Sequence, residues 1–413
     1  MKLSSVRSKQ SRSYPRLYPV IALSGLILST LAFSSVNPSP SEDISNSGVL
    51  AVSRWAKTEG AIFFDLPPQE RTKPIVYGDI VYYANLAGRV TAIHRTEGYQ
   101  LWSRVLPSKA SVDGAFSYSR AKLYVGDTKG NLYSLNARDG SIAWTFKAQS
   151  EWLSPPVVSH ERVLAATSSD DLYAIGESDG KEKWHYSRKG DEKMTVRGTA
   201  TPAVFGTEVF YGFSDGNLVA LTLGKGKLLW TSKLRSRDRF YDIDMKPEVD
   251  QDRVIAATFD GNLYSLDRTT GETKWVFRVG SYGGFLVEND RIYFSGLNGN
   301  FYALDKNNGE VIWKTPYDGG VGATPVKSGD YMVVTTSGDP VYVVELKTGK
   351  IVAKRSLGTG TLAGAEAQPD GWFYCLSNYG SLYAFELLTG MSTKKGPKTL
   401  ASPSALNRLV VAD

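Results

Sequence analysis

Between Thr201 and Lys233 the chain alternates short apolar runs with turn formers. "TPAVF" gives way to a turn at Gly206, "EVFYGF" to Asp215-Gly216-Asn217, and "LVALTL" to Gly224-Lys225-Gly226, after which "KLLWTSK" follows. The runs are rich in β-branched and aromatic residues and the interruptions are turn residues, so this stretch predicts four antiparallel strands. "LVALTL" is apolar on both faces, which suits a sheet packed between two others. The pattern recurs. "SDGNLVALTLGKGKLLW" ends at Trp230 and "FDGNLYSLDRTTGETKW" at Trp275, with further copies ending at Trp102, Trp144, Trp184 and Trp313. Copies around Gly349 and Gly390 keep the strand and turn but carry Ala353 and Lys394 where the Trp would stand. The anchoring glycines are Gly98, Gly140, Gly180, Gly226, Gly271, Gly309, Gly349 and Gly390, spaced 38 to 46 residues apart.

Eight copies at this period predict an all-β fold, an eight-bladed β-propeller of four-stranded antiparallel blades over residues 50–390. No outer strand is recognisable after Gly390, whereas "AVSRWAKTEG" precedes the first blade and contains Trp55. This N-terminal strand is expected to complete the eighth blade, so that no sheet edge is left open. The Trp four residues after each Gly is expected to pack on the neighbouring blade's turn, its N–H finding a carbonyl there. Residues 391–413 carry no repeat and read as a C-terminal tail.

The net charge of +6 points toward nucleic acid until it is located. Lys2, Arg7, Lys9, Arg12 and Arg16 precede the first acidic residue, Glu42, and the remainder is close to neutral. With no basic stripe or stacking platform, nucleic-acid binding is not expected. Those charges lead into the uncharged 20-residue segment Leu17–Val36, which sends the chain across an inner membrane. Residues 1–36 are then either a signal peptide cleaved after Ala32-Phe33-Ser34 or a signal anchor just long enough to span. Either fate puts the propeller in the periplasm, soluble or tethered, with 37–49 as a flexible linker.

Candidate chemistry is sparse. His94, His160 and His185 fall in different blades, none at metal-ligand spacing, and no phosphate loop or nucleophile elbow occurs. No metal, cofactor or catalytic residue is expected. The pair Asp170-Asp171 sits at a hairpin turn, where Asp is an ordinary turn former. The single cysteine, Cys375, lies in the apolar run "GWFYCLSN" and reads as a buried thiol.

Two resemblances bear on function. The Trp-ended repeats resemble those of the pyrroloquinoline-quinone dehydrogenases, which also have eight blades. Those enzymes need a calcium ion, a catalytic Asp and adjacent cysteines beside the quinone, and one cysteine cannot make the pair. The resemblance therefore implies the fold and not the activity. "MTVRGTATP" (Met194 to Pro202) and "DRFYDIDMKP" (Asp238 to Pro247) resemble two inter-blade loops of the BamB family, lipoproteins of the outer-membrane β-barrel assembly machine. That resemblance implies a non-enzymatic periplasmic scaffold docking an envelope protein, with BamA-like periplasmic domains as the partner. It assigns polar contacts to Arg197, Asp242 and Asp244 and apolar ones to Met194 and Val196. Both stretches hand an outer strand over to the next inner one, so they can surface together, and an Arg beside two Asp can brace them. The chain departs from the family in "LAFSSVNPSP", which has no lipobox cysteine, so a lipid anchor is not expected. A quinoprotein-like enzyme or ligand-binding propeller, and a scaffold of another envelope complex, stand as alternatives.

Overall fold

Thirty-two strands and no helix make up the described part of the chain. The computed structural model describes residues 49–57, 70, 72–108, 116–188, 200–234, 242–259 and 261–389. The strands form eight four-stranded antiparallel sheets. Blades 1 to 7 occupy residues 75–105, 116–147, 157–187, 203–233, 248–277, 286–316 and 326–355. Blade 8 draws its three inner strands from 366–388 and its outer strand, Leu50–Lys57, from the N-terminal side. Blade 4 is representative, with strands Ala203–Phe205, Glu208–Gly212, Asn217–Thr222 and Leu228–Lys233 from axis to rim.

The second and third strands of each blade are buried on both faces because every sheet is sandwiched. Eight clusters of buried apolar side chains result, one at each junction between adjoining blades. The cluster joining blade 8 to blade 1 includes Tyr83, Ile93, Tyr374 and Leu382 with Trp55 packed against it, so the ring is closed as expected. The single cysteine, Cys375, is fully buried in the cluster between blades 7 and 8, and burial pushes its thiol far up.

The Trp and Gly of the repeat form a lock between blades. Trp230 Nε1 donates to Arg268 O at 2.9 Å, and a Cβ placed on Gly271 would lie 2.6 Å from the Trp230 ring. Gly271 has φ +74°, so the residue must both turn left-handed and leave its face bare for the indole. The same lock joins Trp55 to Gly98, and Trp102, Trp144, Trp184, Trp275 and Trp313 to the corresponding glycine of the next blade. A bulge at the residue before each Trp re-aims the outer strand. Opposite each Trp stands a small residue, for example Ala220 against Trp230 and Ala384 against Trp55. Blade 7 inverts the pairing, with Val343 opposite Ala353. At that junction the lock is missing, and the Arg355 guanidinium instead donates to the Ala51 carbonyl of the closing strand.

Candidate functional site

In a four-stranded antiparallel blade, the turn between the second and third strands shares one end of the ring with the connection to the next blade. Blades 3, 4 and 5 bring several carboxylates together at this end. The connection from blade 4 to blade 5 is described from Asp242 onward. Ile243 and Met245 are both buried, Ile243 in the junction between blades 4 and 5 and Met245 in that between 5 and 6. Asp242 and Asp244 alternate with them. Ile243 N–H donates to Phe213 O at 3.2 Å, and its side chain lies so close to Gly212 that a Cβ there would sit 2.1 Å from Cγ2. Phe259 N–H in blade 5 donates to Asp242 O at 2.8 Å. The segment is thus fastened to both blades by backbone bonds and two buried side chains.

Asp242 is buried, 2% exposed. The Asp244 carboxyl is pushed up to about 7, first by burial and then by Asp242 and Asp170 beside it. Its Oδ1 is buried without a hydrogen-bond partner. Asp170 comes from the blade 3 turn and accepts hydrogen bonds from the Ser214 N–H at 3.2 Å and the Ser214 hydroxyl. Burial raises the Asp170 carboxyl, while those two bonds pull the other way. Beneath the carboxylates, Tyr211 is fully buried and its hydroxyl has no partner. Burial raises its phenol far above the ordinary value, helped by Asp170, Asp171 and Asp244. Asp215 on the blade 4 turn is paired with Arg188 at 3.2 Å. Asp170 is indeed a turn former, with φ +60°. It also belongs to this carboxylate cluster, a role that its local sequence context does not reveal.

A family model described as "Outer membrane protein assembly factor BamB" matches residues 86–315. The chain belongs to the BamB family. The BamB of Yersinia pestis is 30% identical over 396 residues, covering 89% of this chain and 97% of that protein. Escherichia coli BamB is 28% identical over 289 residues, covering 66% of this chain and 72% of that protein. The crystal structure of Moraxella catarrhalis BamB superposes with a TM-score of 0.66 at 22% identity, over 82% of this chain and 98% of that one. A quinohemoprotein alcohol dehydrogenase from Comamonas testosteroni superposes at 0.65 and 14% identity, over 81% and 76% of the two chains. At these identities the two structural likenesses show the eight-bladed frame alone.

Of the residues assigned by the BamB resemblance, Asp242 and Asp244 lie at one end of the ring; the stretch is expected to surface there, whereas Asp242 is buried and Asp244 half-buried. Met194, Val196 and Arg197 lie outside the described residues. The stretch that carries them re-enters at Ala200, which is fully buried with Tyr211 in the junction between blades 3 and 4. Sequence reasoning did not find Tyr211 or Ser214. Their part in the site depends on Asp170, from the preceding blade.

Among the described residues, no group of three or more His, Cys, Asp or Glu side chains could hold a metal ion. Acidic groups on the innermost strands are matched by lysines: Lys73 with Glu366 at 2.7 Å, Lys246 with Glu248 at 3.1 Å, and Lys327 with Glu288.

Proposed function

We propose that this chain is a non-enzymatic scaffold of outer-membrane β-barrel protein assembly, working in the periplasm and docking BamA-like periplasmic domains. The residues proposed to make the contact are Met194, Val196, Arg197, Asp242 and Asp244, at the end of the ring formed by blades 3 to 5. Membership of the BamB family supports the assembly role, since the relatives bear that name. The observation that carries the docking reading is the Asp242/Asp244 pair on a segment fastened to two blades, Asp242 buried and Asp244 half-buried with one oxygen out of water and unpartnered. A fold has little reason to bury two adjacent carboxylates unless a cation is brought to them. Arg197, in the connection between blades 3 and 4, is that cation in this reading. It braces the two loops while Met194 and Val196 meet the partner. The segment Leu17–Val36 carries the chain across the inner membrane and is then either removed or kept as a tether.

The test is the affinity of the propeller for the purified periplasmic domains of the same organism's BamA-like protein. Arg197→Glu places three carboxylates together, and a buried interface charge left unpaired costs about 2–5 kcal/mol. Binding should weaken tenfold or more in a propeller that circular dichroism shows to be folded. Wild-type affinity in Arg197→Glu, and likewise in Met194→Asp and Val196→Asp, would remove these loops from the interface.

A further inference from the structure

The turn between the second and third strands recurs in all eight blades with one geometry. Each contains a residue of positive φ: Gly88, Gly130, Asp170, Gly216, Gly261, Gly299, Asp339 and Gly380. Two positions earlier stand Leu86, Thr128, Ser168, Ser214, Phe259, Leu297, Ser337 and Asn378. Most of these donate their backbone N–H to the chain that connects blades or to a side chain at the same end of the ring, as in Ser168 to Glu151 O and Asn378 to Gly360 O. The position is therefore equivalent around the ring. Five of its occupants are polar, and Leu86 is apolar but buried at 8% exposure. Phe259 and Leu297, in adjacent blades, are apolar and exposed at 37% and 47%.

The two are continuous with the carboxylate segment. Phe259 N–H is held by Asp242 O, and Leu297 N–H by Gly280 O at 2.9 Å. Gly280 in turn packs so tightly against Gly261 that a Cβ on it would lie 2.4 Å from the Gly261 Cα. A backbone path therefore runs from Asp242 through the blade 5 turn to the blade 6 turn. A large apolar side chain in water has no local structural purpose at a turn where serine, threonine and asparagine serve equally well. Two in adjacent blades, joined by backbone bonds to the segment that carries Asp242 and Asp244, make a strip suited to burial by a partner.

We propose that the docking surface continues over blades 5 and 6, with Phe259 and Leu297 as contacts for an apolar segment of the partner. The proposal rests on the reading that this end of the ring docks BamA-like periplasmic domains, and it extends that contact by two blades. Arg197 keeps the Asp242/Asp244 pair in this reading, and the partner's apolar residues cover Phe259 and Leu297.

The experiment is calorimetric titration of the full propeller with the same purified periplasmic domains. Phe259→Asp and Leu297→Asp should each weaken binding at least tenfold, while Thr128→Asp, at the equivalent turn position of blade 2, should bind as wild type. Phe259→Ser, the residue found at that position in blades 3, 4 and 7, should also weaken binding and serves if the Asp variant fails to fold. If Arg197→Glu weakens binding while Phe259→Ser, Phe259→Asp and Leu297→Asp bind as wild type, the extension is wrong and the reading beneath it stands. If Arg197→Glu also binds as wild type, or the wild-type propeller shows no binding, both fall.

Discussion

Replacing Gly271 with alanine tests why this chain places a glycine four residues before the outer-strand Trp of blades 1 to 6. The new Cβ would lie 2.6 Å from Cε3 and 2.8 Å from Cδ2 of Trp230, inside the closest approach of carbon atoms. The indole must therefore move. Its hydrogen bond to Arg268 O is then lost, about 1 kcal/mol net, and its contact with the blade 5 turn is opened, for a further ~1–2 kcal/mol. Holding alanine at φ +74° adds about 1–2 kcal/mol of backbone strain. Gly206 supplies the control, because it also has positive φ, +56°, yet a Cβ there meets nothing within 4 Å. Gly206→Ala incurs the strain alone. The two variants should differ by roughly 2–3 kcal/mol, which for a domain this large is about 3–4 °C in melting temperature. Thermal melts followed by circular dichroism and by Trp fluorescence give both readouts, and Gly271→Ala alone should shift the emission. Equal melting of the two variants would show that the indole does not depend on the bare glycine face, and the account of the lock would fail.

Removal of residues 50–57 should uncover the outer edge of blade 8 and delete the Trp55 lock onto Gly98 together with the Arg355 contact; a single cooperative melt at the wild-type temperature would contradict the closing role of this strand. The Asp244 carboxyl, held near 7 rather than 3.8, binds a proton in the folded ring that the unfolded chain has already released between about pH 4 and pH 7. Stability should therefore fall as pH rises through that window, by up to about 4 kcal/mol from this group, and Asp244→Asn should be measurably flatter in melts from pH 4 to 8. A variant with the wild-type slope would refute the assignment of that proton to Asp244.

The frame was legible in the sequence because its causes are local and repeated. Every blade writes its own turns and strands, and the Trp and Gly that lock blades together recur at a fixed offset within each copy. The closing strand could be read for the same reason, since Trp55 is an outer-strand Trp with no blade of its own. The site is different. Asp242 and Asp244 were found by likeness to a family loop, whereas Asp170 looked like any turn former. Its burial is created by Ser214 and Tyr211, which are sequence-distant and arrive only when blade 4 docks on blade 3. The substitute for the missing lock at blade 7, Arg355 reaching Ala51, joins opposite ends of the chain and has no signature in either segment. Phe259 and Leu297 did carry a signal. Comparing the eight turns position by position sets them apart, a comparison that needs the register of every blade to be known first.

The central claim is that the end of the ring carrying the Asp242/Asp244 segment faces a β-barrel assembly protein. A photoreactive amino acid at exposed Lys246, on that segment, and another at exposed Lys225, on the turn at the opposite end of blade 4, test it in cells. The account predicts an ultraviolet-dependent adduct with the BamA-like protein from position 246 and none from position 225. An adduct from 225 with none from 246 would place the partner on the other end of the ring and contradict it.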